Sequence, residues 1–389
     1  MRIEVDRDFF HRELRLLTAY LSGRLTEVRI HATAEGVTLL GAHLATRSAR
    51  VPILPARVDQ EGWFDVDLPL LTKGLQALPK GRARMSVEEA ENRDRYADRL
   101  RIEVGGRHVS IAGHLGKARQ AGTQLVEPEG LFLELPLEKL RDLYVRVADA
   151  TTTKDEGRFR LDVVRFEVGT KGDLIAVATD SHRMAVARLP VDAGWKADGE
   201  PMLVSRSLLN EVLRFEGISG LKTQMLRGDV SAALTLDGRV FAEAVGKGSF
   251  PDWRAVLRAE RPISVTVERE RLIEITSCAK LMSCSTLMLR LAEGSGIFRV
   301  AGRDQGTVVY EDELDVVGAD ADQVAVECNA NPVFLRDAAI AMEPASHVSL
   351  FFEAQPLKAF EVRPAGAVKL PWSLEVGHLI TPIIIKESR

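Results

Sequence analysis

Alternating strands and amphipathic helices follow one another along this chain in an order that occurs three times. The opening unit is a strand with apolar residues at every second position: Ile3-Glu4-Val5, Leu133-Glu134-Leu135 and Val265-Thr266-Val267. Successive copies are offset by 130 and 132 residues. Each strand leads into a helix-period run, marked by Phe10, Leu14 and Leu17, then Leu140, Tyr144 and Val147, then Leu272, Ile275 and Ala279. Hairpins follow from Arg29-Ile30-His31, Arg165-Phe166-Glu167 and Arg290-Leu291-Ala292, and reach a turn glycine at Gly36, Gly172 and Gly296. A second helix is expected at Leu70, Leu71 and Leu75, at Leu208, Leu209 and Leu213, and at Phe334, Leu335 and Ala338. A closing hairpin ends each copy: Leu100–Val104 into Val109–Ile111, Ala233–Leu236 into Val240–Ala242, and Val348–Phe351 into Ala359–Val362.

Three units in one order at nearly constant spacing predict three similar domains in a row, 1–127, 128–259 and 260–389. Copies of about 130 residues are long enough to bury cores of their own. The class is α+β, with two helices packed on antiparallel sheets in each domain.

Composition narrows the functional classes. Of 389 residues, 46% are apolar and 28% charged, ordinary proportions for a globular chain. No apolar run reaches the length of a membrane span, and the N-terminus alternates like a strand instead of carrying a signal-peptide core. Cys278, Cys284 and Cys328 form no CxxC pair and no disulfide framework. A cytoplasmic protein is expected. The net charge of −4 argues against gripping nucleic acid with the whole surface, and leaves a local basic lining open.

Catalytic and cofactor signatures are absent from the sequence: no phosphate loop, no GxGxxG, no HExxH and no GxSxG. No catalytic residue, cofactor or metal is expected. The densest polar cluster is Thr179-Asp180-Ser181-His182-Arg183. An enzyme would pair Asp180 with His182 on one strand face; a structural or binding corner uses the same residues as turn formers.

Several segments together resemble the beta subunit of bacterial DNA polymerase III, the DNA sliding clamp. Ala178-Thr179-Asp180-Ser181-His182-Arg183-Met184-Ala185 is similar to the family's ATDGHRLA segment. Gly248–Val256, reading GSFPDWRAV, resembles its GxFPDYxxV segment, and Asn331–Ala338, reading NPVFLRDA, its NxxYLxDA helix. His378-Leu379-Ile380-Thr381-Pro382-Ile383 stands where the family ends in YxxMPxR. The chain departs from the family at five places. Ser181 replaces a glycine, and Thr381 and Ile383 replace methionines. The stretch 22–28 lacks a Pro-x-Leu, and Lys386–Arg389 extends past the usual end.

The resemblance implies a divergent clamp. Two protomers would close head to tail into a ring around duplex DNA, with opening helices lining the hole. A DNA polymerase, a clamp loader and other proteins with clamp-binding motifs are its implied partners. Carried over position by position, the partner-peptide pocket comprises Leu161, Thr179, Ser181, His182, Arg183, Met184, Pro251, Val256, Leu379, Thr381, Pro382 and Ile383. The homodimer interface would use Val109, Ile111, Leu281 and Met282, and Arg24, Lys73, Arg160 and Arg206 would face DNA. Two other readings are a repeat scaffold that binds peptides without forming a ring, and an enzyme built on Asp180 and His182.

Overall fold

In the computed structural model the chain divides into two compact units, Met1–Leu137 with Ser207–Lys247, and Glu138–Arg206 with Gly248–Arg389. The residues described are 1–21, 27–43, 46–90, 97–115, 126, 130–152, 159–190, 200–214, 221–228, 231–245, 248–257, 260–319, 325–353, 359–366 and 374–381. Seven α-helices occur among them: α1 (Arg7–Tyr20), α2 (Leu68–Ala77), α3 (Leu137–Val145), α4 (Arg206–Leu213), α5 (Trp253–Leu257), α6 (Arg269–Leu281) and α7 (Pro332–Ala341). None of the described helices is long and apolar enough to cross a membrane.

Local sequence accounts for where the helices begin. Asp6 accepts the Phe9 amide at 2.7 Å, Asp67 accepts that of Leu70 at 2.8 Å, and Asn331 accepts that of Val333 at 2.9 Å. Each side chain satisfies an amide that has no partner inside the helix. Pro332 occupies the first turn of α7, where a missing N–H costs nothing. Along α1, Phe10, Glu13, Leu14, Leu17 and Tyr20 form the buried face. In α2 the buried residues are Leu68, Leu71 and Leu75, whereas Leu70 is exposed; the leucine pair marks the helix, but only Leu71 faces the core. Val147 is buried as expected yet lies beyond the end of α3. The turn glycines Gly36, Gly172 and Gly296 all have positive φ, which a side chain would disfavour.

Each unit is organised on one antiparallel sheet. The first has 13 strands, the second 12. Apolar residues face the core at every second position, as in Ile3 and Val5, Leu133 and Leu135, and Val265 and Val267, all buried. The order of elements recurs as the sequence implies: strand, helix, a run of strands, helix, then three strands. The three closing strands are Arg82–Glu88, Asp98–Val104 and Arg107–His114; then Lys222–Gly228, Ser231–Leu236 and Arg239–Ala244; then His347–Phe352, Phe360–Pro364 and Glu375–Ile380. The hairpin expected at 348–362 is present. The third-copy counterpart of the other two closing hairpins, however, is the next one along, Phe360–Pro364 with Glu375–Ile380.

With strands matched this way, the same joint occurs once in each sheet. In the first, the last strand of the second copy, Arg239–Ala244, pairs with Arg47–Ile53, the third strand after α1, with Phe241 opposite Ala49. In the second, the last strand of the third copy, Glu375–Ile380, pairs with Arg183–Leu189, with Met184 opposite Leu379. One strand of each kind is left over. Arg107–His114 is paired along one edge by Asp98–Val104, but along the other only at Gly113 and His114. Thr307–Ala319 is paired along one edge by Ile297–Asp304, and along the other only from Val316 to Ala319.

Buried side-chain contacts reinforce the joint in the first sheet. Tyr20 donates its hydroxyl to the Ala242 carbonyl at 2.7 Å and meets Phe241 edge-on, ring centroids 5.2 Å apart. Glu13, fully buried, receives a two-pronged contact from Arg239, Nε to Oε2 at 2.7 Å and Nη2 to Oε1 at 2.9 Å. Removing Arg239 would leave this buried carboxylate only the longer contact from Arg12 Nε at 3.4 Å. Arg239→Ala should therefore cost about 3–5 kcal/mol, while replacing Glu13 and Arg239 together by Leu and Met should cost far less. Urea denaturation of the three proteins checks this, and an unchanged midpoint for Arg239→Ala would contradict it.

Candidate functional site

The segment 179–184 is a tight corner between two strands of the second sheet, Leu174–Thr179 and Arg183–Leu189. Its polar side chains are used to build that corner. Asp180 Oδ1 accepts the amides of His182 and Arg183 at 3.0 and 2.9 Å, and its Oδ2 accepts Arg183 Nε at 2.9 Å. Thr179 donates its hydroxyl to the Arg183 carbonyl at 2.7 Å. Ser181 sits at the apex with φ of +71°, a left-handed conformation a serine adopts at a cost. This is the position where the resembled family has glycine.

Arg183 is the hub. Besides Asp180, it reaches Asp337 on α7 at 2.7 Å, and its guanidinium lies 4.3 Å from the Phe334 ring centroid. The His182 ring is stacked on the same phenyl group, centroids 6.5 Å apart. Asp180 is thus bonded to backbone amides and Arg183, and the imidazole rests on an aromatic face. This geometry does not make a base and orienter pair out of Asp180 and His182. Phe334 and Asp337 were not among the pocket residues nominated from sequence. Their signal was their spacing of three on α7, which places both on one helix face.

Beside the corner lies an apolar cluster. Met184 and Leu379, opposite one another across the joint, are packed with Val186, Phe250, Trp253 and Leu257. Met184 and Leu379 retain only 6% and 4% of their surface. Pro251 is half-buried, and Val256 on the short helix α5 is 48% exposed. Leu161 is buried, and its carbonyl accepts the Thr152 amide. Thr381, exposed, is tied by its amide to the His182 carbonyl at 3.0 Å. The corner and the strand Glu375–Ile380 therefore bring Thr179, Ser181, His182, Arg183, Met184, Leu379 and Thr381 together. Pro382 and Ile383 lie outside the described residues. Phe250 and Trp253 fall inside the quoted 248–256 segment; they were missed because position alone does not show which of its residues turn inward.

The remaining nominated residues are dispersed. Lys73 is exposed on α2. Arg160 forks onto Asp162 at 2.8 and 3.0 Å, and Arg206 reaches the Thr151 hydroxyl at 3.2 Å. Arg24 lies outside the described residues. Leu281 and Met282, at the end of α6, are 88% and 50% exposed. Val109 is half-buried, whereas Ile111 is buried against α2, where a Cβ on Gly74 would come within 2.8 Å of it. Among the described residues no cluster of His, Cys, Asp and Glu is arranged to hold a metal ion.

His378, on the joint strand, is buried with its Nε2 2.7 Å from the Arg146 carbonyl. Burial, with the nearby Arg183 and Arg146 charges, pulls its pKa down to about 4, against the opposing pull of that hydrogen bond. The unfolded chain then binds a proton between about pH 6.5 and 4 that the folded chain refuses. Stability from this residue is complete above pH 6.5 and is lost as pH falls towards 4, by roughly 3 kcal/mol at most. Thermal melts of wild type and His378→Asn between pH 7 and 4.5 should show the steeper decline in wild type. Parallel profiles would contradict the assignment.

No protein-family model matches the chain. Curated relatives named beta sliding clamp do match. One from Halalkalibacterium halodurans is 24% identical over 298 residues, 73% of this chain and 75% of the relative. One from Streptococcus pneumoniae is 21% identical and covers 98% of this chain and 99% of its own. Among solved structures, the DNA polymerase III beta chain of Streptococcus pneumoniae superposes with a TM-score of 0.83 at 18% identity, covering 99% of this chain and 100% of that one. The beta subunit from Pseudomonas aeruginosa gives 0.82 at 19%, with coverage of 99% and 100%. Sequence and fold comparisons converge over nearly the whole length: the chain is similar, at low identity, to proteins named beta sliding clamp and shares the fold of the DNA polymerase III beta subunit structures.

Proposed function

We propose that this protein is a DNA sliding clamp, a ring that encircles duplex DNA and tethers a DNA polymerase to it. The observation that carries the assembly is the pair of unmatched strand edges. The same strand-to-strand joint is made twice within the chain, and its two halves are each left over once, on Arg107–His114 and on Thr307–Ala319. Pairing the leftover edges between two copies, head to tail in both directions, repeats the joint and leaves neither edge open. Three domains, 1–127, 128–259 and 260–389, would then supply six similar units to a dimeric ring. Leu281 and Met282 offer exposed apolar surface for that contact, with Val109 beside the open edge. Ile111 is better read as supporting the edge from beneath, through α2.

In this reading the chain is a tether and not an enzyme, and it works in the cytoplasm. A clamp loader would open the ring, and partner proteins would dock a short segment at the corner of residues 179–184. Its apolar anchors meet Met184, Leu379, Pro251 and Val256, while Leu161, Thr179, Ser181, His182, Arg183 and Thr381 frame them, joined by Pro382 and Ile383. Contacts to DNA are weak and independent of sequence. Lys73, and Arg15 on α1, are exposed for them. Arg160 and Arg206 would reach phosphate only with donors not already given to Asp162 and Thr151.

The assembly is tested by mass in solution. Wild type should sediment as a dimer of a 42.9 kDa chain. The double variant Leu281→Asp, Met282→Asp should sediment as a folded monomer, because burying unpaired charge costs several kcal/mol. A dimer that survives the double substitution would place the interface elsewhere. The peptide site is tested by fluorescence polarisation with a labelled peptide carrying a clamp-binding motif. Met184→Ala should weaken its binding by about 1–3 kcal/mol, at a temperature where melting shows the variant folded. Wild-type affinity in that variant would remove Met184 from the site.

A further inference from the structure

A second depression continues the sheet face that carries Met184 and Leu379. The strands Arg183–Leu189 and Glu375–Ile380 run on from the pair Met184 and Leu379 to Val186 and Gly377, then to Arg188 and Glu375. Four residues of strand span about 13 Å, within reach of the residues flanking a docked segment. The groove there encloses about 690 Å³, with Val186 and Leu257 on its apolar side and a rim of Lys171, Arg188 and Arg363.

Two ion pairs at this groove are layered, carboxylate below and guanidinium above, while the buried Arg261 also approaches Glu361, at 3.8 Å. Glu361 keeps 7% of its side-chain surface while its partner Arg363 keeps 52%. Asp173 keeps 15% while Arg188 keeps 38%. Gly377 permits the arrangement: a Cβ there would stand 2.6 Å from Glu361 Oε1, so the glycine leaves room for the sunken carboxylate. Arg363 is fixed by Nε and Nη2, at 2.8 and 2.7 Å from Glu361, and its Nη1 edge remains for a further acceptor. Lys171 is exposed and has no ion-pair partner among the described residues. Glu375 is the one exposed carboxylate among the groove's described lining residues, against three cations. The surface that meets a ligand is therefore net positive, although the charges of the whole cluster nearly cancel.

We propose that this groove receives an acidic flank of the same partner segment whose apolar anchors enter at Met184 and Leu379, its carboxylates meeting Arg363, Arg188 and Lys171. The proposal rests on the peptide-site reading above and adds a second specificity element to it.

The test uses the full-length protein and labelled peptides carrying a clamp-binding motif, extended at either end by four aspartates or by four serines. In 50 mM salt one of the two aspartate extensions should bind about tenfold more tightly than its serine counterpart, and the advantage should largely vanish in 0.5 M salt as charges are screened. Lys171→Glu, an exposed change in a turn, should remove most of that advantage and leave the serine peptide unaffected. Arg363→Gln, shown to be folded by its melt, should act in the same direction. Equal affinities for aspartate and serine peptides at low salt would overturn the groove's role while leaving the peptide site intact. Failure of every peptide to bind would overturn both. Displacement of the aspartate-extended peptide by a short DNA duplex, with no effect on the serine peptide, would assign the groove to phosphates and overturn the proposal.

Discussion

A strand edge exposes backbone donors and acceptors that must be paired with another strand or with water, and the architecture of this chain follows from how it meets that requirement. The second and third copies of the repeated order each end in a strand that pairs with the third strand after the first helix of the preceding copy. Two such pairings, Arg239–Ala244 on Arg47–Ile53 and Glu375–Ile380 on Arg183–Leu189, merge what the sequence suggests as separate sheets into two large ones. The middle copy accordingly contributes its closing strands to the first compact unit and its hairpin strands to the second. A chain with three copies makes this joint twice and has one pair of edges left over. Ring closure by a second copy is the reading that uses them.

Carboxylates that are buried or half-buried are the second recurring device. Glu13 under Arg239, Asp337 and Asp180 around Arg183, and Glu361 beneath Arg363 each hold a guanidinium in a fixed orientation. Such pairs are poor sources of net stability, because desolvating both ions offsets most of their attraction. Their effect here is placement. Glu13 ties α1 to the closing hairpin of the next copy. Asp337 ties α7 to the corner at the candidate site. Glu361 leaves one edge of Arg363 facing outward. Arginine suits all three, since its planar fork can satisfy one carboxylate and still present donors elsewhere.

Much of the fold was legible in the sequence wherever a local pattern decides the outcome. Alternation gave the strands around Ile3, Leu133 and Val265, and the positive-φ glycines at 36, 172 and 296 fall where turns were expected. What could not be read depends on contacts distant in sequence. Leu70 and Leu71 are chemically alike, and only the packing of α2 buries one and exposes the other. The third closing hairpin was matched one strand early because three strands follow α7 and periodicity does not say which is last. At the candidate site, the 178–185 motif led to the right corner. Yet Phe334 and Asp337, which orient its arginine, lie about 150 residues away and carry no signal that pairs them with it.

As proposed, the protein holds DNA by enclosing it. The direct measurement is retention on DNA whose topology alone is changed. Ring loaded on nicked circular duplex with a clamp loader and ATP should stay bound through gel filtration in high salt, and cutting the circle once should release it. Release from the intact circle under the same conditions, or retention on the cut DNA with both ends free, would contradict enclosure and require a different account of the unmatched strand edges.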